Sequence, residues 1–276
     1  MMNMFKDKVA VVTGAASGIG RSLCEELGRR DAVVIAADIN AEGAQHVASS
    51  IRTAGGRASS AYLDVSNDEE VQRLIDSTVS ENGRIDYMFN NAGVAIKGEV
   101  RDMNLEHWRR VIDINLMGVV YGTTAAYASM VRQGFGHIVN IGSLAGLIGQ
   151  PTNIPYVTSK CAVIGLSTSL RVEVADLGIN VSVVCPGYVQ TGIYDATAVL
   201  KANHKKVMAN IPFKKMDAGK AAELILQGVA RNRAIIVFPF YARVLWWLSR
   251  LHPGFMVPLS HKLVKDFRAL RTDTER

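Results

Sequence analysis

The chain has 276 residues, of which 49% are hydrophobic and 20% are charged. A chain of this size and composition can bury a large core, which excludes a disordered chain, a collagen-like fibre and a disulfide scaffold. Its three cysteines, Cys24, Cys161 and Cys185, have no Cys-x-x-Cys spacing, so free thiols in a reducing, cytoplasmic compartment are predicted. No apolar stretch reaches the length of about 18 residues that a spanning helix needs, and residues 1–12 contain no apolar segment of signal-peptide length.

The net charge of +6 is concentrated in one part of the chain. Residues 231–276 hold nine Lys/Arg, three Asp/Glu and seven of the nineteen aromatic residues, whereas the rest of the chain is electrically balanced. A basic segment raises the hypothesis of nucleic-acid binding. We reject it because the sequence has no RRM, zinc-finger or helix-turn-helix pattern and because its basic residues alternate with apolar ones.

Short β-branched runs alternate with longer helical patterns along most of the chain. This alternation predicts a single doubly wound α/β domain, residues 1–238, with parallel strands flanked by helices. The predicted strands are 8–13, 32–37, 58–63, 85–90, 136–141, 179–184 and 234–238. The predicted helices are 19–30, 41–54, 67–82, 105–132, 156–177 and 218–232. Residues 239–276 are predicted to be a basic-aromatic helical extension that packs on this domain.

The turn after the first strand contains Gly14, Gly18 and Gly20, in the segment TGAASGIG. Glycine lets a strand-to-helix turn bend sharply and approach a pyrophosphate, whose charge the helix N-terminus attracts. The spacing is GxxxGxG instead of GxGxxG, so it becomes specific only together with an acidic residue at the end of the second strand. That residue is Asp38, whose carboxylate can accept both adenosine ribose hydroxyls and would repel a 2′-phosphate. NAD(H) is therefore predicted in preference to NADP(H).

Tyr156 and Lys160 are four residues apart at the start of a predicted helix, so they share one face of it. A phenol transfers protons poorly near neutral pH because its usual pKa is about 10. A neighbouring ammonium favours the phenolate and lowers that pKa. The pair is therefore a candidate general acid and base.

Taken together, these motifs resemble those of the short-chain dehydrogenase/reductase family. The resemblance extends over residues 6–238. Its elements, in the family's order, are TGxxxGIG, Asp38, Asp64-Val65, Asn90-Asn91-Ala92-Gly93, Asn115, Ser143, the YxxxK motif of Tyr156 and Lys160, and Pro186-Gly187 with Thr191. It implies a Rossmann fold of about seven parallel strands, a nicotinamide cofactor, and hydride exchange between a secondary alcohol and a ketone. A homodimer or homotetramer is also expected.

The resemblance implies catalytic roles for four residues. Tyr156 would be the general acid and base at the carbonyl oxygen, and Lys160 would hold the nicotinamide ribose and lower the pKa of the tyrosine. Ser143 would hydrogen-bond the carbonyl oxygen. Asn115 would hold a water that links Lys160 to solvent.

The resemblance also implies the residues that contact the cofactor. They are Gly14, Ser17, Gly18, Ile19, Gly20, Asp38, Asp64, Val65, Asn91, Ala92, Gly93, Tyr156, Lys160, Pro186, Gly187, Val189 and Thr191. Substrate contacts are predicted, by position only, at Leu144, Gln150, Asn153 and Tyr188. Residues 188–215 fit no single periodicity and are either a mobile lid over the substrate or a variable surface loop. No metal site is predicted, because the six histidines form no cluster with one another or with cysteine.

Residues 240–251, FYARVLWWLSRL, predict an amphipathic helix between two prolines. Three hypotheses for it stay open. It packs against the domain or a partner subunit, it forms a hydrophobic wall over a large apolar substrate, or it lies in a membrane surface. The second hypothesis predicts a bulky apolar alcohol or ketone that is steroid-, retinoid- or long-chain-like.

Two other functions stay open. One is an NADPH-dependent reductase of a 3-oxoacyl thioester, against which the charge of Asp38 argues. The other is a non-catalytic NAD-binding protein on the same fold. Against it stands the presence of all four candidate catalytic residues, and turnover of any alcohol or ketone would exclude it.

Overall fold

Seven parallel strands form the central sheet of the computed structural model, which describes residues 4–272. The strands of the described residues are β1 (Val9–Thr13), β2 (Val33–Asp38), β3 (Arg57–Tyr62), β4 (Tyr87–Asn90), β5 (Ile96–Lys97), β6 (Gly136–Ile141), β7 (Ile179–Pro186), β8 (Ala198–Val199) and β9 (Ile235–Phe238). The sheet order is β3-β2-β1-β4-β6-β7-β9, while β5 and β8 pair with each other outside it. The predicted doubly wound α/β fold is confirmed.

Helices cover both faces of this sheet. They are α1 (Gly18–Gly28), α2 (Ala41–Thr53), α3 (Asp68–Asn82), α4 (Leu105–Ile112), α5 (Gly118–Gln133), α6 (Leu144–Ile148), α7 (Ile154–Glu173), α8 (Ile193–Ala196), α9 (His204–Ala209), α10 (Ala218–Ala230), α11 (Phe240–Leu251) and α12 (Val257–Ala269). The helix predicted over 105–132 is divided by a π-helical turn, Asp113–Met117. Such a turn has no periodic signature, so the sequence pattern does not show it.

Strand β1 shows why the sheet lies in the middle of the molecule. All five of its residues are buried, as expected of a parallel strand that is covered on both faces. Ala10 and Val12 belong to a cluster that includes residues of α1 and α10, whereas Val9 and Val11 belong to one with residues of α3 and α5. Successive strand side chains point to opposite faces, so the apolar run of β1 supports both layers of helices.

The strand order reverses at β1, which pairs in parallel with β2 on one side and with β4 on the other. In open α/β sheets a crevice forms at such a point, beyond the carboxyl ends of the strands. The glycine turn follows β1, Asp38 ends β2, residues 91–93 follow β4 and Ser143 follows β6. The topology therefore brings segments that are distant in sequence to one edge of the sheet.

The predicted amphipathic helix is α11, and it packs against the domain. Ala242 is buried, and Tyr241, Leu245 and Trp246 pack against a buried cluster. The opposite face carries four exposed apolar residues that we call the outer row: Phe240 (77% exposed), Val244 (40%), Trp247 (66%) and Leu251 (60%). This apolar row of α11 thus faces away from the domain.

Helix α12 is absent from the predicted elements. Its buried Phe267 and the ion pairs of Arg268 with Glu99 (2.7 Å) and of Arg271 with Asp102 (2.5 Å) attach it to the segment after β5. The last four residues of the predicted extension, 273–276, lie outside the described part of the chain. Between residues 4 and 272, no helix combines the length and the hydropathy that crossing a bilayer requires.

Candidate active site

A crevice of ≈ 380 Å³ runs along the carboxyl ends of the strands. Every predicted cofactor contact lines it except Gly20. Gly20 has a different function, because a Cβ atom there would lie 2.1 Å from the carbonyl oxygen of Gly14. Its lack of a side chain lets α1 begin directly against the turn.

The glycine turn leaves its backbone open to the crevice. Gly14 (φ +65°) and Gly18 (φ +53°) have left-handed backbone conformations that glycine adopts without strain. A Cβ on Gly14 would lie 2.8 Å from the Cα of Ala92, and one on Gly18 would lie 2.9 Å from the side chain of Thr191. The turn and the N-terminus of α1 together suit a pyrophosphate.

Asp38 lies at one end of the crevice and is held in place by two backbone amides. Its Oδ2 accepts a hydrogen bond from the N–H of Ala16 (2.9 Å), and its Oδ1 accepts one from that of Asn40 (2.8 Å). Each oxygen keeps lone-pair capacity for a further donor, such as a ribose hydroxyl. Asp64 also lines the crevice, and Arg21, just beyond the glycine turn, pairs with Glu25 at 2.7 Å. This charge distribution fits a dinucleotide with a free 2′-hydroxyl.

Tyr156, Lys160 and Ser143 meet at the other end of the crevice. The ammonium of Lys160 lies 5.6 Å from the centroid of the Tyr156 ring and donates a hydrogen bond to the carbonyl of Ile141 (2.7 Å). Ser143 caps α6, and its Oγ accepts a hydrogen bond from the N–H of Ala145 (3.1 Å). The start of α7 and the turn after β6 thereby place a phenol, an ammonium and a hydroxyl around one space.

Burial governs the protonation of this cluster. It raises the pKa of Tyr156, and a hydrogen bond with Ser143 opposes that rise. Burial also lowers the pKa of Lys160 from 10.5 to about 8. The sequence predicts a lowered pKa for Tyr156, and for the chain alone this is wrong, because burial removes the water that would stabilise the phenolate.

Asn115 lies behind the crevice and does not line it. It is fully buried in the π-helical turn, where its amide accepts a hydrogen bond from the N–H of Val94 (2.8 Å) and donates to the carbonyl of Val94 (2.9 Å). A Cβ on Gly93 would lie 3.2 Å from the Oδ1 of Asn115 and 3.6 Å from the Nζ of Lys160. Asn115 therefore positions the segment next to Lys160, and its water-holding role stays a prediction.

A second cavity adjoins the crevice and shares Ser143 and Tyr156 with it. All four predicted substrate residues, Leu144, Gln150, Asn153 and Tyr188, line this cavity. Most of the other lining residues are apolar: Ile148, Ile193, Met208, Ile211, Phe213, Leu245, Met256, Leu259 and Leu263. A reactant in the second cavity can therefore bury an apolar body while it reaches the phenol.

Tyr188 and Phe213 form an aromatic wall of the second cavity, and Tyr241, which does not line it, stacks on Phe213. The ring centroid of Phe213 lies 6.3 Å from that of Tyr188 and 4.2 Å from that of Tyr241. The phenolic oxygen of Tyr241 also accepts a hydrogen bond from the N–H of Tyr188 (2.7 Å). Residues 188–215 thus form part of the cavity wall in this structure, held against α11.

Sequence reasoning missed the part of the wall that α12 provides. Leu259 and Leu263, four residues apart, line the second cavity together with Met256 and with Lys97 of β5. The spacing of the two leucines was a signal for an amphipathic helix. Nothing in the sequence indicated that this helix returns to the second cavity.

The three cysteines are free, with Cys24 and Cys185 buried and Cys161 exposed. Within the described range of the chain, no group of three or more His, Cys, Asp or Glu side chains is arranged to hold a metal ion.

Comparison with known proteins identifies close similarities. The pattern of the short chain dehydrogenase family matches residues 8–199. The chain is 40% identical over 194 residues to cyclohexanol dehydrogenase of Acinetobacter sp. (strain SE19), a match that covers 69% of this chain and 76% of that enzyme. It is also 40% identical over 210 residues to cis-4-hydroxycyclohexanecarboxylate dehydrogenase of Sinomonas cyclohexanicum, covering 76% of this chain and 83% of that enzyme. A solved short chain dehydrogenase/reductase from Burkholderia phymatum, in complex with NAD, has a TM-score of 0.80 and 28% identity, and the match covers 100% of this chain and 99% of that one.

Proposed function

This chain belongs to the short-chain dehydrogenase/reductase family and is an NAD(P)-dependent oxidoreductase acting on CH–OH groups, and on that premise we propose that it uses NAD(H) to interconvert a bulky apolar secondary alcohol and its ketone. The observation that carries the proposal is the pair of adjoining cavities that share Ser143 and Tyr156. One suits a dinucleotide and the other an apolar reactant.

The proposed reaction transfers one hydride and one proton. The dinucleotide, when bound, supplies the hydride to the carbonyl carbon or accepts it from the alcohol carbon. In reduction, the hydroxyl of Tyr156 donates its proton to the carbonyl oxygen, and in oxidation the phenolate accepts the proton of the alcohol. The hydroxyl of Ser143 would hold the same oxygen and stabilise its developing negative charge.

Lys160 would keep this proton transfer near neutral pH. Its pKa of about 8 leaves it mostly protonated at pH 7. Because it lies beside the ring of Tyr156, its positive charge stabilises the phenolate that forms when the proton leaves. The same ammonium would hold the ribose hydroxyls next to the nicotinamide, and Asn115 would hold the relay water.

Two observations support NAD(H) over NADP(H). The carboxylate of Asp38 is fixed by the amides of Ala16 and Asn40, and Asp64 adds a second carboxylate to the lining of the same crevice. A 2′-phosphate would meet this negative charge without a basic partner. The same charges argue against an NADPH-dependent 3-oxoacyl-thioester reductase.

The lining of the second cavity supports a bulky apolar reactant. Helices α11 and α12 contribute Leu245, Leu259 and Leu263 to it, and residues 188–215 contribute an aromatic wall. The similar dehydrogenases are named for cyclic alcohols, which agrees with a compact, mostly hydrocarbon body.

Fluorescence titration with NADH and NADPH, repeated with a panel of cyclic, steroid and long-chain ketones, tests the proposal. We expect tighter NADH binding, and NADH-dependent turnover of the apolar ketones. Preference for NADPH with turnover of 3-oxoacyl thioesters alone would establish the reductase instead. NADH binding without turnover of any ketone or alcohol would identify a non-catalytic NAD-binding protein.

We further propose that the outer row of α11 docks on an anionic lipid surface. The row is exposed, and the exposed Arg243 and Arg250 belong to the same helix. An apolar row beside basic residues suits the boundary between headgroups and acyl chains, whereas a second copy of this basic surface would be repelled. The homodimer or homotetramer and the cytoplasmic location stay predictions, the first of which light scattering tests.

A further inference from the structure

Lys97 is the single charged residue among the described residues that line the second cavity. It ends β5, and its backbone carbonyl accepts a hydrogen bond from the N–H of Leu200 (2.8 Å). Pairing of β5 with β8 therefore fixes the backbone from which this side chain extends. A charge at this position in an apolar cavity needs a physical explanation.

Lys97 has no counter-charge within the described part of the chain. No carboxylate there lies within 4.0 Å of its ammonium. Glu99 and Asp102 are held by arginines, and Asp266, which lines a groove on the other side of Lys97, pairs with Lys262 at 3.2 Å. Burial lowers the pKa of Lys97, and no charged neighbour opposes that effect. Lys97 is only partly exposed, and an unpaired cation that is partly withdrawn from water favours a ligand that supplies the missing anion.

Asn153 lies in the segment that is hydrogen-bonded to that of Lys97. Its side chain is only 5% exposed, and its Oδ1 has no hydrogen-bond partner among the described residues. The N–H of Gly98 donates to the carbonyl of Thr152 (2.9 Å), which joins the segment of Lys97 to that of Asn153. Both side chains line the second cavity, so its lining holds the unpaired cation of Lys97 and an acceptor oxygen of Asn153 that would take a hydrogen-bond donor.

We propose that the substrate carries a carboxylate, remote from the reacting carbon, which Lys97 binds. This inference rests on the proposed function, and it names the substrate class as apolar hydroxy or oxo acids. A single cation matches a single negative charge. A phosphate dianion would leave one charge uncompensated among apolar side chains.

Different residues of the second cavity would hold the reacting oxygen and orient the rest of the substrate. Ser143 and Tyr156 hold the reacting oxygen at the end shared with the crevice, and the apolar wall encloses the hydrocarbon body. Lys97 then fixes the orientation of that body through the carboxylate. Such a contact made in both ground state and transition state lowers KM more than it raises kcat.

The test compares ketones that differ only in charge. Steady-state reduction by NADH is measured for 4-oxocyclohexanecarboxylate and 3-oxo-5β-cholan-24-oate, each against its primary carboxamide. We expect kcat/KM of the wild type to be about 10- to 100-fold higher for at least one carboxylate, because a hydrogen bond to a charged group is lost in the amide. In Lys97→Met the ratio of kcat/KM for the carboxylate to that for the carboxamide should fall to about 1, because KM for the carboxylate rises. The kcat/KM for the carboxamides should stay the same.

Two variants serve as controls. Lys97→Arg keeps the charge and should keep most of the preference. Lys205→Met removes the same charge from an exposed position on α9 and should leave kcat/KM for both substrates unchanged. The proposal would be overturned if kcat/KM fell equally for carboxylate and carboxamide in Lys97→Met, or if the wild type had no preference for the carboxylate. Lys97 would then only contact solvent.

A binding measurement separates this proposal from the proposed function. If the wild type reduces carboxamides but has no preference for either carboxylate, the oxidoreductase stands and the carboxylate site does not. If it reduces no ketone at all, the carboxylate site is tested by calorimetry, which compares the binding of cyclohexanecarboxylate and cyclohexanecarboxamide in the presence of NADH. Selective binding of the carboxylate by the wild type but not by Lys97→Met supports the site, and its absence refutes it.

Discussion

The phenolic oxygen of Tyr241 accepts a hydrogen bond of 2.7 Å from the backbone N–H of Tyr188, across 53 residues of sequence. Tyr188 stands at the end of the Rossmann sheet, directly after the Pro186-Gly187 turn, and Tyr241 belongs to the first turn of α11. This bond therefore connects the carboxyl edge of the sheet to the C-terminal helices. Since Phe213 stacks on Tyr241, the same residue also supports the wall of the second cavity.

Tyr241→Phe should loosen this wall while keeping its stacking. The variant leaves the N–H of Tyr188 without its partner, which costs about 1 kcal/mol of stability. We expect KM for a bulky apolar ketone to rise several-fold, with the dissociation constant of NADH unchanged. Steady-state kinetics and NADH titration check this. Tyr241→Ala removes the stack as well and should have the larger effect, so an equal effect of both variants would contradict the argument.

Tyr156→Phe should abolish turnover without abolishing cofactor binding. The substitution removes the transferable proton but keeps the ring, and positioned proton transfer contributes about 10²- to 10⁴-fold. We expect kcat to fall by that factor and the dissociation constant of NADH to change little. Tyr62→Phe, at a residue that is 57% exposed, is the matched control and should be fully active. Retained activity in Tyr156→Phe would refute the assigned acid and base.

Asp38→Ala should change the choice of cofactor. The variant removes the acceptor for the ribose hydroxyls and the charge that opposes a 2′-phosphate. We expect NADH affinity to fall about tenfold, or about 1.4 kcal/mol, and the affinity ratio of NADPH to NADH to rise further. The comparison with Glu42→Ala, which removes an exposed charge at the start of α2, isolates the local effect. An unchanged ratio would show that Asp38 does not contact the ribose.

Because of Lys160, the free energy of unfolding of the wild type should change with pH in the alkaline range. Burial lowers its pKa from 10.5 to about 8, so between these values the unfolded chain binds the proton more often than the folded chain. Stability then rises with pH in this window, and the cost of the buried charge is fully present below about pH 8.

The free energy of unfolding of the wild type, measured relative to Lys160→Met, should increase by about 3 kcal/mol from pH 8 to pH 10.5. Urea denaturation of both proteins at a series of pH values measures it. Taking the difference cancels the titration of the other tyrosines and lysines. A difference that is flat with pH, or one that decreases, would contradict the low pKa.

The outer row of α11 should bind vesicles that contain anionic phospholipid. We expect the wild type to sediment with phosphatidylglycerol vesicles, and Trp247→Glu to lose most of this binding because it places a negative charge in the apolar row. Val172→Glu makes the same kind of change at another exposed residue, in α7, and should keep the binding. Light scattering on the same variants shows whether the row is instead buried between copies of the chain.

The agreement between sequence and structure is closest where function depends on local backbone. Gly14, Gly18 and Asp38 were predicted at the crevice because a strand-to-helix turn and the next strand end each leave a signal within a few residues. Tyr156 and Lys160 follow in the same way from the four-residue spacing of one helix. The pKa of Tyr156 did not follow, because it depends on how completely neighbouring elements exclude water.

The sequence by itself determined the α/β fold and predicted which side chains meet in the crevice, Ser143, Tyr156 and Lys160 among them. Alternation of strands and helices, and glycine at obligatory turns, are properties of short segments, so one chain suffices to read them. The shape and charge of the second cavity were decided only by the tertiary structure. Lys97, Phe213, Tyr241 and Leu263 come from four separate segments, and their meeting depends on long-range packing that no local periodicity encodes.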